Sequence, residues 1–164
     1  MVGTVLTKAE RAAHLVHSLT TLAGVAAART TLFDLNPIVR NVVVLRRRHD
    51  VVDYDVTLDL DANLPEILGD PSQIEQVVLT LLINAEDCIA AAPETSGAIH
   101  VRTCLQGRRV QLHVSDTGFA RDASRIFEAS ESGVVLNICA EIAKDHGGDL
   151  YAWSSYENGA TLTL

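Results

Sequence analysis

Residues Gln73 to Ala92 read QIEQVVLTLLINAEDCIAAA, and the spacing within this stretch decides how the rest of the chain can fold. Ile74, Val77, Val78, Leu81, Leu82, Ala85, Cys88, Ile89 and Ala92 recur at i, i+3, i+4 and i+7, which predicts a helix with a core-facing surface. Asp70 before Pro71 supplies the start: a side-chain cap followed by a residue whose fixed φ suits the first helical turn. Leu79, Ile83 and Ala90 make a second flank apolar, leaving Gln73, Gln76, Thr80, Asn84 and Asp87 as a narrow polar line. A helix apolar on both flanks is largely buried, so that line should face a partner or a cavity.

The 164 residues suffice for one domain with a real core plus a short appendage, and 48% apolar content is ordinary for a globular chain. No run of 18 apolar residues occurs and Met1 to Lys8 lacks the pattern of a signal peptide, so a cytoplasmic domain with no membrane segment is expected. Cys88, Cys104 and Cys139 sit in apolar contexts without paired spacing and read as buried reduced thiols rather than a disulfide or zinc site. A net charge of -8 argues against nucleic acid as a partner. The one basic run, Arg46-Arg47-Arg48-His49, ends a predicted helix and reads as its solvated end.

Outward from the central helix, Ala12, Leu15, Val16, Leu19, Leu22, Ala23 and Ala26 give a helix over about 8–28 whose stripe can pack on the domain or on a second copy of itself. Residues 29–35 read as linker, and a helix capped by Asn36 runs through Val39, Val42, Val43 and Leu45 to about His49. Tyr54 to Leu60 alternates as a strand with one wet face, and Ile99 to Leu105 with Val110 to Val114 as a hairpin about Gln106-Gly107-Arg108. A short helix over 122–129 and a longer one from Val134 to His146, closed by Gly147-Gly148, precede a last hairpin around Asn158-Gly159. Pattern alone therefore supports a two-layer α/β sandwich with a mostly antiparallel sheet covered by helices.

Taken alone, Asn84 reads as a structural amide. The phrase Leu81-Leu82-Ile83-Asn84-Ala85-Glu86-Asp87-Cys88, however, resembles the N box of the GHKL superfamily, which includes sensor histidine kinases, gyrase-type ATPases, Hsp90 and MutL. Further segments follow in the family's order. Ser115-Asp116-Thr117-Gly118-Phe119-Ala120 resembles the G1 box, Arg125-Ile126-Phe127-Glu128 the F box, and Gly133-Val134-Val135-Leu136, with His146-Gly147-Gly148 behind it, the G2 box and its helix. Glu10 to Leu19 is similar to the second helix of the kinase dimerisation hairpin. The resemblance implies a Bergerat fold over 31–164 preceded by that helix in 1–30, the catalytic and ATP-binding domain of a sensor histidine kinase. It puts the Mg²⁺ of Mg·ATP on Asn84, water-mediated metal contact on Asp87, adenine on Asp116, and close backbone approach to nucleotide on Gly118 and Gly133. The partners it implies are a phosphoacceptor His domain or response regulator, and a second copy through 8–28. His14 and His17 are followed by Leu15 and Ser18 rather than an acidic residue, so neither matches the phosphoacceptor motif and autophosphorylation by this chain alone is not expected.

The sequence also departs from the family. Ala120 stands at the second G1 glycine and Val135 at the second G2 glycine, and only Ala129-Ser130-Glu131-Ser132 separates the F box from Gly133, where active kinases carry a long Gly-rich lid. Glu86 and Asp87 add negative charge at the N box, expected to disfavour phosphates. Two readings stay open: a kinase module transferring phosphoryl from Mg·ATP to a His on another segment or chain, and a degenerate domain serving only docking or dimerisation in phosphorelay signalling. A hydrolase needs a Glu one turn before Asn84; that position is Thr80.

Overall fold

A computed structural model describes residues 30–47, 54–91, 97–118, 131–154 and 158–164, and for 131–133, 154 and 158–162 it describes the backbone. The expected helices over 8–28 and 122–129, and the F box, lie outside the described residues. In order come β1 (Thr31–Phe33), α1 (Leu35–Arg47), β2 (Tyr54–Leu60), β3 (Ile67–Gly69), α2 (Pro71–Ala90), β4 (Gly97–Gln106), β5 (Arg109–Asp116), α3 (Glu131–Asp145), β6 (Asp149–Ser154) and β7 (Asn158–Thr163).

Five strands form one sheet in the order β2-β4-β5-β7-β6, parallel between β2 and β4 and antiparallel elsewhere. The expected α/β sandwich with a mixed, mostly antiparallel sheet is present. The alternation of each strand sorts its faces: Ile99, Val101, Val110, Leu112 and Val114 are buried under the helices, whereas Asp55, Thr57, Asp59, His100 and Arg102 are exposed on the far side. α2 lies across β4, β5 and β7, flanked by α1 on one side and α3 on the other.

Asp70 caps α2 as its sequence dictates, accepting from Ser72 N at 2.9 Å with Pro71 in the first turn. From Ile74 to Ile89 the helix buries eight apolar side chains, and truncating one such as Leu81 should cost about 2–5 kcal/mol. Helix α3 closes in a Schellman motif: Gly148 N donates to Ala143 O at 2.9 Å and Gly147 N to Lys144 O at 2.8 Å. Gly147 takes φ +71 there, a left-handed conformation that a side chain would strain.

Four boundaries differ from expectation. The stretch 29–35 read as linker contains β1, which pairs with β3 through Leu32↔Leu68 in a separate two-stranded sheet. α1 is capped by Asp34, whose Oδ1 accepts from Asn36 N at 2.9 Å. The Asn36 amide instead ties the helix to the sheet, donating to Asp61 O at 2.8 Å and accepting from Thr103 Oγ1 at 2.9 Å. Leu45, expected on the buried face of α1, is 52% exposed, since the stripe through Val39, Val42 and Val43 points a third of a turn away. Asn158 and Gly159 are paired residues of β7, opposite Ser154 and Trp153, so they are not the turn that was expected there.

Candidate functional site

The polar line on α2 changes environment along its length. Gln76 and Thr80 are each only 4% exposed where α3 packs on the helix, and the Thr80 hydroxyl donates to Gln76 O at 2.9 Å. Thr80 also hydrogen-bonds the Cys139 thiol of α3, whose pKa burial pushes up to about 12. Farther along, Asn84 and Asp87 are only partly buried, and the Asn84 amide has no hydrogen-bond partner among the described residues. The line therefore starts under α3 and opens toward the C-terminal half of α2.

Asp116 arrives at that half from the sheet. It is the last residue of β5, 3% exposed, and its Oδ1 accepts from Gly118 N at 2.9 Å. Thr117 fastens the turn to β4, its N donating to Ala98 O at 3.1 Å and its Oγ1 accepting from Ala98 N at 3.0 Å. Gly118 is pressed onto α2: a β-carbon there would stand 2.2 Å from the Cys88 carbonyl carbon and 2.4 Å from Ile89 N. Those are backbone atoms of a helix, which cannot move aside, so only Gly fits.

The structure thus gathers Asn84, Asp87, Asp116 and Gly118 around the second half of α2, where a buried carboxylate and a half-buried amide can meet a ligand with both donors and metal-held oxygens. Gly133 was expected in a loop before a helix starting at Val134, but α3 begins at Glu131 and Gly133 is its third residue. Its N–H is among the first four of the helix, which have no intrahelical acceptor. Residues 119–130, which join Gly118 to α3 and include Ala120, lie outside the described residues.

Glu86 does not add charge to this site. It is 8% exposed on the opposite flank of α2, where Arg46 Nε meets its Oε1 at 3.1 Å, Arg46 Nη2 meets Oε2, and Tyr54 Oη donates to Oε1 at 2.6 Å. The Glu86 half of the negative charge expected near the phosphates is therefore neutralised inside the junction of α1, β2 and α2, while Asp87 stays on the side of Asn84. Arg46 is correspondingly no solvated helix end, and Arg47 donates to Val56 O at 3.0 Å. Arg46 and Tyr54 stand 40 and 32 residues from Glu86 in sequence, beyond the reach of any local pattern.

The family model of histidine kinase-, DNA gyrase B- and HSP90-like ATPases matches residues 69–164. The chain belongs to this family. It is 31% identical to the sensor histidine kinase ZraS of Escherichia coli (strain K12) across 80% of this chain and 30% of that protein. It is 23% identical to sporulation kinase B of Bacillus subtilis (strain 168) across 98% of this chain and 39% of that protein. The chain thus spans 30% to 39% of the length of these relatives. The catalytic domain of the histidine kinase ThkA superposes with a TM-score of 0.71 at 23% identity, covering 83% of this chain and 95% of that one, which establishes the fold.

Within the family's histidine kinase members, the chain corresponds to the ATP-binding catalytic domain, and domains of this family bind ATP, generally with Mg²⁺. Thr80 matters here: buried, hydroxyl-bearing and already donating to Gln76 O, it offers no base for activating water. Among the described residues, no helix is long and apolar enough to cross a membrane and no three metal-ligating side chains converge.

Proposed function

We propose that this domain binds Mg·ATP against the second half of α2 and presents the γ-phosphoryl group to a phosphoacceptor His on another segment or another chain. The observation that supports the reading best is the pressing of Gly118 onto the Cys88–Ile89 peptide, because it holds the buried Asp116 carboxylate beside the part of α2 that carries Asn84. Mg·ATP, when bound, supplies the transferable phosphoryl group and the metal charge that neutralises it.

Asp116 would accept from the adenine amino group, its carboxylate already oriented by Gly118 N. Asn84 would offer its amide oxygen to Mg²⁺, a task suited to a neutral oxygen ligand. Asp87, one turn from Ala91, would contact the metal through water. Gly133 would donate its backbone N–H toward phosphate from the first turn of α3. Positioning and charge compensation are most of what phosphoryl transfer asks of a protein, and no residue here need act as a base.

The partners of such a module are a phosphoacceptor His domain and, downstream, a response regulator; residues 8–28 carry the stripe through which two copies would pair. The setting is the cytoplasm, where ATP is available. Calorimetric titration with Mg·ATP, alongside Asn84→Ala, tests the reading: micromolar binding that vanishes in the variant supports it. Absence of heat at millimolar nucleotide in both proteins would overturn it and leave a domain that kept the fold and lost the ligand.

A further inference from the structure

The face of the sheet away from the helices carries its own chemistry. Along β4, His100, Arg102 and Cys104 point to this face, and β5 answers with Gln111 and His113. Cys104 Sγ lies 3.6 Å from His113 Nε2, a diagonal contact between adjacent strands. Unlike Cys88 and Cys139, which are 3% and 0% exposed, Cys104 is partly open to solvent. The imidazole does not float: the Trp153 indole meets it edge-on, with ring centroids 6.1 Å apart and an interplanar angle of 69°.

The surroundings keep the imidazole in its neutral form. Arg102 stands directly opposite His113 in the register, bridged to Asp59 of β2 at 3.4 Å. Burial and, second, the Arg102 charge hold His113 below its ordinary value of 6.5, so the ring is neutral at pH 7 and keeps a nitrogen able to accept a proton. A partly open thiol in contact with a neutral imidazole has a proton acceptor within reach when it attacks an electrophile. Among the described residues no third ligand converges on the pair, so a metal centre is not what it builds.

We propose that Cys104 and His113 form a reactive thiol–imidazole pair that exchanges with low-molecular-weight disulfides of the glutathione class, making Cys104 a site of reversible S-thiolation. His113 Nε2 takes the thiol proton as Cys104 Sγ attacks one sulfur of the disulfide. The S–S bond of the reagent breaks, a mixed disulfide forms on Cys104, and the departing thiolate takes the proton from the imidazolium. One thiol is consumed and one released; Cys104 is oxidised and half of the reagent is reduced. The pair lies on the opposite face of the sheet from Asp116, which is three residues along β5 from His113 and buried beneath the helices.

The test is incubation of the full chain with oxidised glutathione near neutral pH, followed by intact-mass and peptide mass spectrometry. One glutathionyl group should add at Cys104, roughly tenfold or more faster than on an unstructured peptide carrying the same residues, and be removed by dithiothreitol. Cys104→Ser should abolish the adduct, and His113→Gln should slow it about tenfold while the melting temperature stays near that of the parent. His113→Asn serves as a second variant should the first disturb folding. An adduct that maps to Cys88 or Cys139, a rate no greater than the peptide's, or equal rates in folded His113 variants would each overturn the proposal.

Discussion

Gly118 and Cys88 share a contact that no other residue type would permit at position 118, since an added β-carbon would fall 2.2 Å from the Cys88 carbonyl carbon. The turn after β5 and the second half of α2 are thereby held as one surface. Gly118→Ala should force them apart, costing about 1–3 kcal/mol in stability and lowering Mg·ATP affinity at least about tenfold. Thermal melting and calorimetry read the two effects. Unchanged affinity in a destabilised variant would separate the packing role of Gly118 from the ligand.

The Glu86 carboxylate faces Arg46 and Tyr54, not the nucleotide side of α2. Glu86→Gln should accordingly leave Mg·ATP affinity within about twofold of the parent. Arg46→Met should be the harsher change, about 3 kcal/mol, because it strands a buried carboxylate. Combining Arg46→Met with Glu86→Gln should recover much of that loss, which denaturant melts of the four proteins would measure as a coupling energy. A double variant no more stable than Arg46→Met would show that the ion pair is not the source.

Cys139 provides a pH signature. Its thiol is pushed up to about 12 from 9.0 by burial, so the folded state holds the proton more tightly than the unfolded state does. The associated stability is fully present below pH 9 and is lost as pH rises from 9 toward 12, at up to about 1.4 kcal/mol per pH unit. Cys139→Ala should flatten that decline between pH 9 and 10.5, as followed by urea melts. A parallel decline in both proteins would assign the alkaline loss to other groups.

The junction of α3 with the start of α2 rests on one imidazole. His146 Nε2 accepts from Asp70 N at 3.0 Å while its Nδ1 donates to Ile142 O at 2.7 Å, so both ring nitrogens are used and the neutral tautomer is fixed. His146→Ala should cost about 2 kcal/mol through the orphaned Asp70 N–H and the space left against Gly69. Hydrogen exchange at Asp70 should quicken in the variant, and exchange as slow as in the parent would count against the role.

Much of this architecture was legible where the pattern is long and local. The twenty residues of α2 carry a cap, a proline and two apolar flanks, and each signal survives in the structure. The hairpin of β4 and β5 is equally local. What escaped has a common physical cause: it depends on partners distant in sequence or on elements too short for a period to show. The three-residue strands β1 and β3 have no measurable alternation, and they exist because they pair with each other across more than thirty residues. Arg46 and Glu86 each look solvent-facing until the other is placed beside it. Asn158-Gly159 carries the strongest turn chemistry near the C-terminus, yet the pairing of Leu150 with Leu162 sets a register that makes both of them strand residues. The ordered motifs single out Asn84, Asp116 and Gly118 as candidates, while Thr117 carries no mark in sequence that would show it clamps the turn to β4.

The parallel pairing of β2 with β4 also orders the birth of the fold. β2 has no partner in the large sheet until Gly97–Gln106 has been synthesised, and all of α2 lies between the two strands in the chain. Residues up to 91 therefore include the central helix and the α1 helix that flanks it but no strand pair of the large sheet for them to lie on. The β4–β5 hairpin, which closes within twenty residues, is what turns that waiting half into a folded one.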